Sequence, residues 1–184
     1  MKTIAIIFLF AFSSHLSAES LPDIMANGLA HMALKHKVNH YYQLAIACTP
    51  LEVDNKSGLN VTDWLQVEPM APNWKMLKNL NATALEARDY ALTKHGSDKV
   101  LHCLAGCFVA TKLDYISGVY LGWLKELLDA SDCNANTHFE KADFEATQAG
   151  AIIGAAKNSC ESFCLRDDIK NLDGDQMLEA AQKE

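Results

Sequence analysis

Cysteine places the tightest constraint on this chain. Cys103 and Cys107 stand four residues apart, Cys160 and Cys164 repeat that spacing, and Cys48 and Cys133 complete a set of six. A spacing of four puts both members of a pair on one face of a helix. Two such faces on antiparallel neighbours can be bridged twice, which pairs Cys103 with Cys164 and Cys107 with Cys160 and leaves Cys48 for Cys133. Bridging within a helix is disfavoured, because a disulfide needs Cα atoms within about 7 Å and converging Cβ vectors. The competing reading is a thiolate metal site, since four sulfurs in two Cys-x-x-x-Cys pairs also suit zinc.

The N-terminal residues bear on that choice. Lys2, the apolar run from Ile4 to Phe12, and then Ser13, Ser14, Ser17 and Ala18 have the charge, the apolar stretch and the small residues of a signal peptide over residues 1–18. Cleavage after Ala18 leaves Leu16 at the third position upstream; cleavage after Ser20 places Ala18 there. About nine apolar residues are too few to span a bilayer, which takes roughly 20, and no cysteine follows the run for lipid attachment. The expected location is therefore exported, in a periplasm or outside the cell, where an even number of cysteines reads as disulfides. Double Cys-x-x-x-Cys spacing also resembles mitochondrial helical-hairpin proteins, but the leader argues for another compartment.

Residues 19–184 are long enough to bury a core and are read as one helical domain, with its centre at about 76–165. The formal net charge of −7 becomes more negative once Lys2 is removed. With no basic stripe, nucleic acid and anionic lipid surfaces are poor partners. The run from Leu101 to Val109 meets Lys112 and Asp114 too soon to cross a membrane.

The periodicity predicts an all-α bundle stapled by disulfides. A helical pattern opens at Pro22 and Asp23 and stops at Thr49-Pro50, as one helix or two. An irregular connection covers about 49–73, with room for a short strand from Val61 to Val67. Trp64, Leu65, Met70 and Trp74 are its expected anchors. Thr83 and Glu86 have capping-box spacing and start a helix that ends near Gly96. Ser97 caps a helix from Asp98 to Lys112, and Asp114 caps another from Tyr115 to Asp129. After a loop from Asp132 to Asn136, a long helix is expected from about Phe139 to Leu165, followed by a polar tail that turns at Gly174 into a short helix.

The three central helices each carry ionisable residues beside small ones. Asp98 and His102 are four apart, with Gly106 one turn on; Gly118, Gly122 and Glu126 follow the same spacing, with Lys125 and Asp129 beside them; Asp143, Thr147 and Ala151 do likewise, next to Gly150 and Gly154. In one reading His102 is a core imidazole whose carboxylate partners fix helix register. In the other, His102, Glu126, Asp129 and Asp143 form an acid/base or metal-binding cluster, with a carboxylate orienting the histidine. No serine or cysteine stands out as a nucleophile. His31, His36, His40 and His95 lie on polar helix faces and read as solvated. The glycosylation patterns at Asn55, Asn60 and Asn81 would be silent in a bacterium.

Asp98-Lys99-x-x-His102, Lys125-Glu126-x-x-Asp129, and Phe139 with Asp143 and Gly150 or Gly154 resemble the pattern of small exported or lipoprotein-type proteins of Gram-negative bacteria, a family of uncharacterised function. His102-Cys103, Gly106-Cys107, Gly122, Lys125-Glu126 and the stretch from Ser159-Cys160 to Cys164 also resemble cysteine-containing helical domains of secreted bacterial proteins, some fused to polymorphic-toxin chains. The resemblance covers about 97–165. It implies a bacterial periplasmic or secreted helical domain and supplies no reaction. Without a lipidation cysteine, membrane anchoring is not carried over. The expected function is binding, to a protein or another envelope component. The alternative is an envelope hydrolase or metal-dependent enzyme using a divalent metal at the His/Glu/Asp cluster.

Overall fold

The computed structural model describes residues 23–48, 69–72, 74–133 and 139–184. The expected signal peptide, Trp64, Leu65 and the strand expected near Val61 lie outside them. Among the described residues every regular element is a helix: α1 (Asp23–Cys48), α2 (Trp74–Leu92), α3 (Asp98–Lys112), α4 (Tyr115–Ser131), α5 (Lys141–Ala155), α6 (Cys160–Cys164) and α7 (Gly174–Ala181). None is long and apolar enough to cross a membrane.

Local chemistry sets most boundaries. The Ser97 hydroxyl accepts from the Val100 N–H at 3.4 Å and starts α3. Asp114 Oδ1 accepts from the Ser117 N–H at 2.7 Å and starts α4, which continues two residues past the expected Asp129. Asp173 and Gln176 close a capping box on α7.

Three expectations are corrected. Thr83 and Glu86 do not open a helix: α2 begins at Trp74, and Thr83 is buried in its interior, so the capping spacing there is coincidental. Met70 is no anchor, being 74% exposed. The long helix from Phe139 to Leu165 is two. The first of them ends at Lys157, whose φ of 62° is left-handed, while Asn158 N–H bonds the Ile153 carbonyl and Lys157 N–H that of Gly154. These paired bonds are a Schellman ending. With lysine where glycine is usual, no sequence signal marked the stop. Ser159 then caps α6.

Helix α3 lies at the centre and packs most extensively on α5, with α2 and α4 also against it. One region of the core joins α1, α2 and α4 through Leu34, Val38, Leu77, Leu80, Tyr120 and Trp123. The other joins α3, α5 and the C-terminal helices through Val100, Leu104, Ile153, Phe163, Ile169 and Met177. Between α3 and α5 the backbones nearly touch. A Cβ on Gly150 would collide with the Cys103 carbonyl, and one on Gly106 with the Thr147 carbonyl.

All six cysteines are paired as the spacing argument expects: Cys103–Cys164 and Cys107–Cys160 clamp α6 antiparallel to α3, with Cα atoms 5.9 and 5.6 Å apart, and Cys48–Cys133 ties the end of α1 to the end of α4 at 4.8 Å. No thiolate is left for a metal.

Both the sulfur clamp and the glycine seam can be measured. Replacing Cys107 and Cys160 together by Ser leaves the enclosing Cys103–Cys164 bond in place, so it frees only the ring of about 10 residues between the two bonds and should lower the unfolding free energy in urea by about 2–3 kcal/mol. Gly150→Ala should cost about 2–3 kcal/mol in the same assay, because the added methyl must push whole backbones apart rather than move a side chain.

Candidate functional site

Where α3, α4 and the start of α5 converge, polar side chains from all three make one network. His102 on α3 is its hub. Its Nε2 lies 3.3 Å from Asp143 Oδ2 on α5 and 4.0 Å from Asp98 Oδ1, one turn back on its own helix. Its Nδ1 lies 3.2 Å from the Thr147 hydroxyl, which donates to the Asp143 carbonyl at 2.9 Å. Two neutral tautomers fit these contacts: Nε2–H donating to Asp143, or Nδ1–H donating to the Thr147 hydroxyl with Nε2 left as a lone pair.

Lys99 works from the opposite side. Its ammonium bonds Asp143 Oδ1 and donates to Glu140 Oε2 at 2.6 Å, and it lies 3.5 Å from Asp98 Oδ2. Each aspartate therefore gives one oxygen to Lys99 and turns the other toward His102.

Glu126 is completely buried. Its Oε2 accepts from the Glu140 N–H at 2.9 Å, so a carboxyl group from α4 caps α5, whose own N-cap side chain makes no capping bond. Its Oε1 has no hydrogen-bond partner and sits 3.6 Å from the Lys125 ammonium, which bonds Asp129.

Burial dominates the protonation of this network. It pushes His102 down to about 3, helped by the charges of Lys125 and Lys99 against the pull of Asp98, so the imidazole is neutral at pH 7. Burial raises Glu126 to about 8 despite Lys125, with Asp143 and Asp129 adding repulsion. It raises Asp143 to about 6 against the bond from Lys99, and it raises Asp129 against Lys125. Burial also acts upward on Asp98, but His102, Lys99 and a hydrogen bond with Asp143 hold that carboxyl below its ordinary value. Lys99 and Lys125 are both raised: burial opposes their charge, and the carboxylates around them outweigh it.

Beside the network runs a cleft of about 270 Å³ between α2, α3 and α4. Leu85, Ala91, Leu101, Ala105 and Leu121 wall it with hydrocarbon. Asp98, His102 and Lys125 supply polar groups from α3 and α4, and Arg88 adds a guanidinium from α2. Gly106, Gly122 and Thr147 line it where the glycines let α5 come close behind.

Of the four candidates read from the sequence, His102 and Asp143 meet directly. Glu126 belongs to the same network as the cap of α5 and does not line the cleft, and Asp129 is held by Lys125. Those four did not include Asp98, Lys99, Thr147 and Glu140. Asp98 was signalled by its four-residue spacing to His102; Glu140, in the turn before α5, carried no periodic signal. Asp98, His102 and Asp143 are a set that could hold a metal ion, with one ligand atom from each lying within 4.8 Å of the others.

The buried glutamate makes stability depend on pH. A carboxyl of ordinary value near 4.5 that is raised to about 8 binds its proton more tightly when folded, so its contribution is complete below pH 4.5 and is lost as pH rises through 8. The groups around it are Lys125, Asp129, Asp143 and the Glu140 N–H. Glu126→Gln should flatten the decline between pH 5 and 8 and be the more stable protein at pH 8 by on the order of 3 kcal/mol, read from urea unfolding across that range.

Compared with protein-family models, curated proteins and solved structures, the chain finds no match in any of the three.

Proposed function

We propose that this is an exported helical binding protein whose ligand, a small amphipathic molecule of the cell envelope, seats in the cleft between α2, α3 and α4. The observation that carries the reading is the cleft's lining: mostly hydrocarbon, with a few polar groups, Asp98, His102 and Lys125 from α3 and α4 and Arg88 from α2. Small-molecule sites have this composition, mostly apolar with a few convergent polar groups that fix orientation. The three disulfides and the absence of a membrane-spanning helix among the described residues fit export. The resemblance over 97–165 to exported bacterial helical proteins points the same way.

A second reading is an envelope hydrolase or metal-dependent enzyme centred on His102. It is favoured by a neutral imidazole standing between Asp143 and Asp98 in the lining of a cleft. The two readings differ in what a ligand undergoes: release unchanged under the first, conversion under the second.

The binding reading is tested with the fluorescent amphiphile N-phenyl-1-naphthylamine. Wild-type protein should bind it saturably, one per chain, with a rise in emission. Ala105→Phe, which fills the cleft, should weaken binding at least about tenfold, and Leu85→Trp is the second filling variant should the first melt early. Equal binding by both folded variants would place the probe elsewhere and remove the reading.

A further inference from the structure

We infer that Asp98, His102 and Asp143 bind a divalent transition metal ion of the zinc type beside the cleft. The donor set is one imidazole nitrogen and two carboxylate oxygens, which suits zinc. Tetrahedral bonds of about 2.0–2.2 Å place neighbouring donors roughly 3.3–3.6 Å apart. The His102–Asp143 separation is already 3.3 Å, and the His102–Asp98 separation of 4.0 Å closes with a small swing of the exposed Asp98 side chain.

Proximity alone would not distinguish a metal site from a salt-bridge network; the orientation of the outer groups does. The Thr147 hydroxyl, which donates to the Asp143 carbonyl, stands where it can accept from Nδ1–H, the tautomer in which Nε2 is free to ligate an ion between the carboxylates. Lys99 takes the outer oxygen of each aspartate and leaves the inner ones aimed at that space. An ion between Nε2 and the two carboxylates takes the place of the ring proton, which without the ion can sit on Nε2 and donate to Asp143. The lysines do not remove the demand for positive charge: Asp98, Asp129, Glu140 and Asp143 outnumber Lys99 and Lys125. Orienting partners on both histidine and carboxylate ligands are the usual surroundings of protein-bound zinc.

Three protein ligands leave a fourth position open, and because Asp98 and His102 line the cleft, that position faces it. This last step rests on the cleft being the ligand site; the ion's own ligands do not.

The test is calorimetric titration of zinc into exported, disulfide-intact, metal-stripped protein carrying H36A and H40A, which removes an exposed histidine pair one turn apart on α1. One zinc per chain is expected, with no uptake of magnesium. Asp98→Asn should weaken binding roughly 10–100-fold, His102→Ala should abolish it, and Lys99→Met, which deletes no ligand, should weaken it roughly tenfold. Cobalt should give the visible absorption of a four-coordinate site in the parent and not in Asp98→Asn. Asp98 is exposed, so its variant keeps the fold even if His102→Ala does not. Zinc affinity unchanged in Asp98→Asn, or equal uptake of magnesium, overturns the inference. N-phenyl-1-naphthylamine binding by metal-free protein is independent of these ligands, so a failed zinc titration with intact probe binding removes the metal site and leaves the cleft reading standing.

Discussion

The contact between α3 and α5 governs the rest of this structure. Two helices ordinarily keep axes about 8–10 Å apart because side chains intervene. Here Gly106 sets its bare backbone on Thr147, and Gly150 sets its own on Cys103. Glycine within a helix costs about 1 kcal/mol relative to alanine. Dense packing of Leu104, Ala146, Ala149 and Ile153 around the seam offsets that cost. The two disulfides to α6 leave α3 at Cys103 and Cys107, the residues whose backbone Gly150 and Gly154 approach, so seam and clamp reinforce each other.

Close approach also sets the chemistry. Because α5 sits so near α3, Asp143 at its first turn reaches both His102 and Lys99, and Thr147 one turn later reaches the histidine's other nitrogen. Charges brought into so little solvent carry a desolvation cost that only mutual pairing can offset. The network meets it with two lysines against several carboxylates and by keeping His102 and Glu126 neutral. Glu126 departs far from ordinary behaviour because its own carboxyl is completely buried where it caps α5, a helix whose N-cap side chain makes no capping bond.

Much of this was legible from residue order. Asp98 to Lys112 is a helix because Ser97 supplies the cap and the apolar residues recur at helical spacing. The sulfur pairing followed from two four-residue spacings and antiparallel geometry. Other features were hidden for definite physical reasons. Lys157 adopts a left-handed conformation that its side chain does not advertise, so the break before Ser159 was invisible. Thr83 and Glu86 imitate a helix start but stand where burial against neighbouring helices lets α2 run through. Asp129 looked as available as Asp143, yet Lys125 on the same helix holds it.

Residue order alone determined the all-helical class, the caps of α3 and α4 and the disulfide partners, because each depends on spacing along one or two elements. It also named His102 and Asp143 as residues that could meet. Only the packed structure decided which aspartate oxygen faces the histidine, that Glu126 caps α5 from within the core, and that a hydrocarbon-walled cleft includes Asp98 and His102 in its lining. Those properties depend on the separation and rotation of helices about their axes, and that geometry is set by the summed contacts of residues distant in sequence rather than by any local pattern.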